Sequence, residues 1–213
     1  MYNPAQFTET NVAVLHEAIE HAPLGALVVA TTAGLVANHV PFELERSAGP
    51  YGTLHCHVAR ANDVWRNPDA ECLVIFHGPS AYISPSLYES KKEHGKVVPT
   101  YNYAVVHAHG RLTIHDDEKW LRGLVGRLTN HFEVSRPEPW TMGDAPQQYL
   151  SERLKEIVGI EIKIERLEGK WKMSQNRPEA DRAGVVAGLR DSSIEAEREV
   201  AKIVEERSKS SGH

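Results

Sequence analysis

Apolar residues recur at two different periods along the chain, and the changes between them mark its elements. Leu15, Ala18 and Ile19 stand at helical spacing ahead of Pro23, which predicts a first helix over residues 9–21. Three short runs rich in Val, Leu and Thr follow: LGALVVATT (24–32), LVANHVPFEL (35–44) and YGTLHCHV (51–58). Gly34 and the stretch from Ser47 to Pro50 separate them, so they read as consecutive antiparallel strands. ARANDVWRN is a turn or short helix, CLVIFHG a buried strand, and YNYAVVHAHGRLTIH a long alternating strand over about 101–115. Asp116 and Asp117 place negative charge at the start of a helix whose stripe is Trp120, Leu121, Leu124, Val125 and Leu128. A second helix over 146–156 leads into GIEIKIERLEG, where Ile160, Ile162 and Ile164 alternate with charged residues, as in a strand with one wet face. SSIEAEREVAKIVEERSK opens with Ser192 and Glu195 at capping-box spacing and carries a narrow stripe of Ile194, Val200, Ile203 and Val204. Six or more strands with peripheral helices predict a mainly β (α+β) chain, either a small antiparallel barrel or a two-sheet sandwich.

At 213 residues the chain is long enough to bury a core without a disulfide or structural metal. Its formal charge of −5 lacks the basic excess of a nucleic-acid-binding surface. No helix-turn-helix signature is evident either, so direct DNA binding is not expected. No window approaches the roughly 20 apolar residues of a membrane span. MYNPAQFTET has neither a basic start nor an apolar run, so a signal peptide is not expected. Cys56 and Cys72 alone suit reduced thiols, and the expected compartment is the cytoplasm.

Three constellations bear on chemistry. His55 and His57 stand two apart on one predicted strand, as do His107 and His109 on another, so each pair projects from a single face. Four imidazoles on neighbouring strands would suit Zn, Cu or Fe, although histidines merely alternating on a half-polar face give the same pattern. In HVARAND, Arg60 and Asn62 lie where a strand gives way to a turn, and exposed N–H groups beside a guanidinium there form a phosphate site. The segment 78–107 combines the hydroxyls of Ser84, Ser86 and Thr100 with Lys91, Lys92, Lys96 and four tyrosines. Phosphate ligands and stacking surfaces thus share one segment, against the alternative of a surface loop with solvated lysines. GKWKMSQNRPEADRAGV, with Trp171, Gln175, Asn176, Arg177 and Arg182, reads as a binding loop or a capped turn. The absence of GxGxxG after a strand, GxxxxGK[ST] and GxSxG excludes dinucleotide-binding Rossmann, P-loop and serine-hydrolase readings.

In order along the chain, MYNPAQF, PLGALV, GLVANHVPF, LHCHVARAN, GPSAYISPSLY, GKVVPTYNYAVVHAHG and SQNRPEADRAGVVAGL resemble the FMN-binding negative transcriptional regulators of the PaiB type. The resemblance covers residues 1–190, leaving 191–213 as a C-terminal amphipathic helix and tail. It implies a six-stranded antiparallel split barrel that dimerises with FMN at the subunit interface. It also implies flavin contacts from His57, Arg60 and Asn62 near the phosphate, from Lys96, Thr100, Asn102 and Tyr103 in a second segment, and from Gln175 and Arg177 in a third. Ser84 joins them as a hydroxyl suited to phosphate. The resulting expectation is a flavin redox protein or flavin-dependent regulator; the alternative is a haem or metal protein using His55, His57, His107 and His109.

Overall fold

The structure, a computed structural model, describes residues 1–210; the last three residues of the expected tail lie outside the described residues. The strands are β1 (Thr8–Glu9), β2 (Leu24–Thr31), β3 (Gly34–Pro41), β4 (Glu43–Glu45), β5 (Thr53–Ala59), β6 (Glu71–Ile83), β7 (Thr100–His115) and β8 (Ile157–Lys172). The helices are α1 (Val12–His21), α2 (Ser90–His94), α3 (Glu118–Glu133), α4 (Gln147–Leu154), α5 (Glu179–Arg190) and α6 (Glu195–Ser210). The strands run in the order β3-β2-β6-β7-β8-β5-β4, with β1 added beside β8.

This mainly antiparallel α+β sheet has eight strands, not the closed six-stranded barrel expected from the sequence. One of the two added strands arises at LVANHVPFEL, read as one strand and found as two; the other is the two-residue β1 ahead of the first helix. Pro41 lacks a donor for a continuing ladder, and the Phe42 N–H turns aside to the Pro23 carbonyl at 2.9 Å. β3 therefore stays with β2, in register from Leu24↔Pro41 to Thr31↔Gly34, whereas β4 pairs with β5.

Two units are distinguishable, and the long strands β6, β7 and β8 contribute to both. One comprises His16–Phe76 and His107–Leu167. In it β2 pairs with β6 from Ala26↔Ile75, and β5 pairs with β8 from Thr53↔Lys163 to Ala59↔Ile157. The predicted alternation holds in β8, where Ile160 and Ile162 are fully buried while Glu161 and Lys163 are not. Asp117 caps α3 by accepting the Trp120 N–H at 2.8 Å. The helix buries Leu121, Leu124 and Leu128, each contributing about 1.5–3 kcal/mol. The other unit comprises Met1–Leu15, His77–Val106 and the chain from Glu168 onward. There β1 meets β8 at Thr8↔Lys170, and α5 and α6 pack together, with Val185, Leu189, Val200 and Val204 buried. No helix among the described residues is long and apolar enough to cross a membrane.

Candidate functional site

Two groups of the expected residues lie in different units. The first follows β5. His57 is the one residue between Thr53 and Val58 that is not fully buried, yet its Nδ1 is enclosed and has no hydrogen-bond partner. The chain then turns: Asn62 caps a short 3₁₀ turn (Asp63–Arg66) through its Oδ1, and its Nδ2 donates to Asn38 Oδ1 at 2.7 Å. Asn38 Nδ2 is itself buried without a partner. Arg60 differs from the free guanidinium expected for a phosphate contact. It forms a bidentate pair with Asp116 at 2.9 and 2.5 Å, and donates to the carbonyls of Lys155 and Ile157. Four of its five donors are thereby committed, and the pairing holds the Asp116 carboxyl below the usual carboxylate range.

The histidine pairs separate. His55, 6% exposed, lies 3.7 Å from Glu43 through Nδ1 and 3.7 Å from Glu161 through Nε2. His115 also approaches Glu161, at 3.2 Å, and stacks on Trp120 at 4.1 Å between centroids. The rings of His107 and His109 are 6.2 Å apart, and His109 Nδ1 meets Arg166 at 3.1 Å. Among the described residues, His55 and His57 do not join His107 and His109 in one ligand cluster.

Burial pushes the pKa of both His55 and His57 down from about 6.5; for His55 the nearby carboxylates Glu161 and Glu43 oppose that shift without overcoming it. The folded state therefore binds fewer protons than the unfolded one once the pH falls below about 6.5, so stability is lost on acidification through that point. Thermal melts between pH 7.5 and 5.5 should show a falling midpoint, with a shallower fall in His57→Asn. An unchanged slope in that variant would exclude His57 as a source.

The second group surrounds the start of β7 and the end of β8. Lys170 and Lys172, two apart on β8, project from one side of the strand. Lys170 is only 8% exposed; its ammonium donates to the Tyr2 carbonyl at 2.9 Å and lies 5.5 Å from the ring centroids of Tyr2 and Tyr103. Lys172 donates to the Thr100 hydroxyl and to the Tyr101 carbonyl. Arg177 lies over the Tyr88 ring, 4.7 Å from its centroid. Burial, then the charges of Lys170 and Arg177, push the Lys172 ammonium below its ordinary pKa. No carboxylate pairs with any of these three cations among the described residues.

The remaining nominated residues support this group or stand apart from it. Asn102, 1% exposed, exchanges hydrogen bonds with Ser174, whose φ of +62° starts the SQNR turn. Gln175 closes that turn: its Oε1 accepts the Met173 N–H, and its Nε2 donates to the Trp171 carbonyl. Ser84 caps the 3₁₀ turn Pro85–Leu87 by accepting the Ser86 N–H at 3.2 Å. Lys96 is exposed. The sequence reading passed over Lys170 and Lys172; the signal available was the K-W-K alternation, which places both cations opposite Trp171.

A family model described as "Putative FMN-binding domain" matches residues 1–166, more than three-quarters of the chain. The chain belongs to this family, of the PaiB type. The PaiB-type chain is 30% identical to the protease synthase and sporulation protein PAI 2 of Bacillus subtilis, over 98% of its own length and 99% of that relative. It is 34% identical to a protein of Aspergillus fumigatus, over 97% of each. Among solved structures it is similar to the FAD and heme binding protein from Mycobacterium smegmatis. That likeness has a TM-score of 0.55 at 16% identity, covers 78% of this chain and 73% of the other, and shows a shared split-barrel-like fold.

Proposed function

We propose that the chain binds FMN as a homodimer, with flavin at the subunit interface, and works as a flavin-dependent redox protein or sensor. The observation that carries this reading is the uncompensated charge of Lys170, Lys172 and Arg177 beside the Thr100 hydroxyl. Like charges gathered around a half-buried ammonium oppose one another until an anion joins them. A phosphate ester supplies two negative charges and acceptors for lysine, arginine and hydroxyl donors.

Under this reading Lys172, Arg177 and Thr100 hold phosphate, while Tyr103 flanks them. Asn102, Ser84 and Gln175 fix the backbone that presents them, and Lys96 stands at the open edge. In the unit that holds His57 and Asn62, Arg60 fixes the turn after β5 through Asp116. When bound, the isoalloxazine supplies the electron chemistry, so the protein need only bind it, orient it and limit access. Direct DNA contact forms no part of the proposal.

The test is to purify the chain, identify any copurifying chromophore by absorption and mass, and measure the oligomer by light scattering. Stoichiometric FMN in a dimer, with flavin and dimer lost together on dilution, is expected. A monomer retaining stoichiometric FMN would refute the shared site. Protein that takes up no added FMN would remove the reading, and a haem Soret band would favour the histidine-based alternative.

A further inference from the structure

We infer that the groove between α5 and α6 is a binding site for a small amphipathic carboxylate, a medium-chain fatty acid being its chemical class. The groove is open to solvent and offers about 420 Å³, within the range of small-molecule sites. Its floor is apolar, formed by Ala183, Val186 and Ala187 of α5. Its rim is ionic and unequally matched. Both oxygens of Glu205 are engaged, Oε2 by Arg190 and Oε1 by Lys209, each at 3.4 Å. The remaining rim carboxylate, Glu179, is exposed in the first turn of α5.

Arg182 differs from the other two cations. Its Nε is buried with no hydrogen-bond partner, and the side chain forms no ion pair among the described residues. Arginine presents its donors as a fork matched to a carboxylate, and the Nη end of Arg182, unlike its Nε, is not enclosed without a partner. One carboxylate placed at that end would pair the guanidinium, while a short hydrocarbon body covers Ala183, Val186 and Ala187. An amine of the same length would meet two further cations at the rim. The selectivity is therefore for negative charge combined with apolar length.

Calorimetric titration of the full chain with octanoate, octylamine and acetate tests this. Octanoate is expected to bind saturably, acetate at least about tenfold more weakly, and octylamine not at all; each tenfold corresponds to about 1.4 kcal/mol. Arg182→Met should weaken octanoate by about tenfold or more, and Ala187→Phe, which fills the floor, should abolish binding. Circular dichroism and FMN titration on the same samples report folding and the flavin site separately. Should Arg182→Met fail to fold, Ala187→Phe decides the matter. Absence of saturable octanoate binding, equal binding of octanoate and octylamine, or undiminished affinity in a folded Arg182→Met or Ala187→Phe protein would overturn the inference, whatever the outcome with FMN.

Discussion

Replacing Lys172 with methionine is expected to weaken FMN binding by roughly ten- to a hundredfold and to leave riboflavin binding within about twofold, because a charge-assisted hydrogen bond contributes about 1.5–3 kcal/mol. Methionine keeps an unbranched side chain of similar reach, so the loss reports charge more than packing. The free protein should respond in the opposite sense. Lys172 sits beside Lys170 and Arg177 with no carboxylate, so removing its charge relieves repulsion and the melting temperature should hold or rise.

A pH signature follows from the same arrangement. Burial and two cationic neighbours depress the Lys172 pKa, and a bound phosphate would favour the charged form. FMN affinity should then decline as alkaline pH titrates Lys172, and the variant should lose that part of the dependence. Paired fluorescence titrations with FMN and riboflavin read both effects. Equal losses for the two ligands would show that Lys172 does not meet the phosphate.

What could be read in advance divides along physical lines. Period and propensity are local, so β8 was legible from Ile160, Ile162 and Ile164, and α3 from its apolar stripe and from Asp117 at its cap. The break at Pro41 was equally local but fell inside an apolar run, where a continuing strand and two strands with different neighbours have the same composition. Ion pairs formed across long separations leave no such trace. Arg60 in LHCHVARAN looked free because its partner Asp116 lies 56 positions away, among charges already explained as a helix start. Nothing local in PEADRAG marks Asp181 as buried, yet it is 1% exposed and accepts both the N–H and the hydroxyl of Ser90. The cation group was hidden for a related reason. K-W-K signals two lysines on one side of a strand, but only the fold shows that Arg177 joins them and that no carboxylate does.

Gly184→Ala should destabilise the protein by about 1–3 kcal/mol, even though alanine is the better helix former by about 1 kcal/mol in the middle of α5. The contact decides the sign. A Cβ at Gly184 would lie 2.0 Å from the Leu87 carbonyl oxygen, and backbone cannot swing aside as a side chain does. To admit it, the Pro85–Leu87 turn would have to move away from α5, and that movement would strain the anchors on either side. Tyr88, the next residue, is 1% exposed beneath Arg177, and Ser90 is held by two hydrogen bonds to Asp181 on α5 itself. Gly188, one turn further along α5, supplies the control. Its Cβ would meet Leu87 Cδ2 at 2.3 Å, a side-chain atom that another rotamer can withdraw, so Gly188→Ala should cost less than Gly184→Ala. Urea denaturation of the two variants measures the difference directly. A Gly184→Ala protein as stable as the parent would mean that the turn is not pinned to α5. Under the expected loss, FMN affinity should fall alongside stability, because Arg177 is placed partly by its contact with the Tyr88 ring.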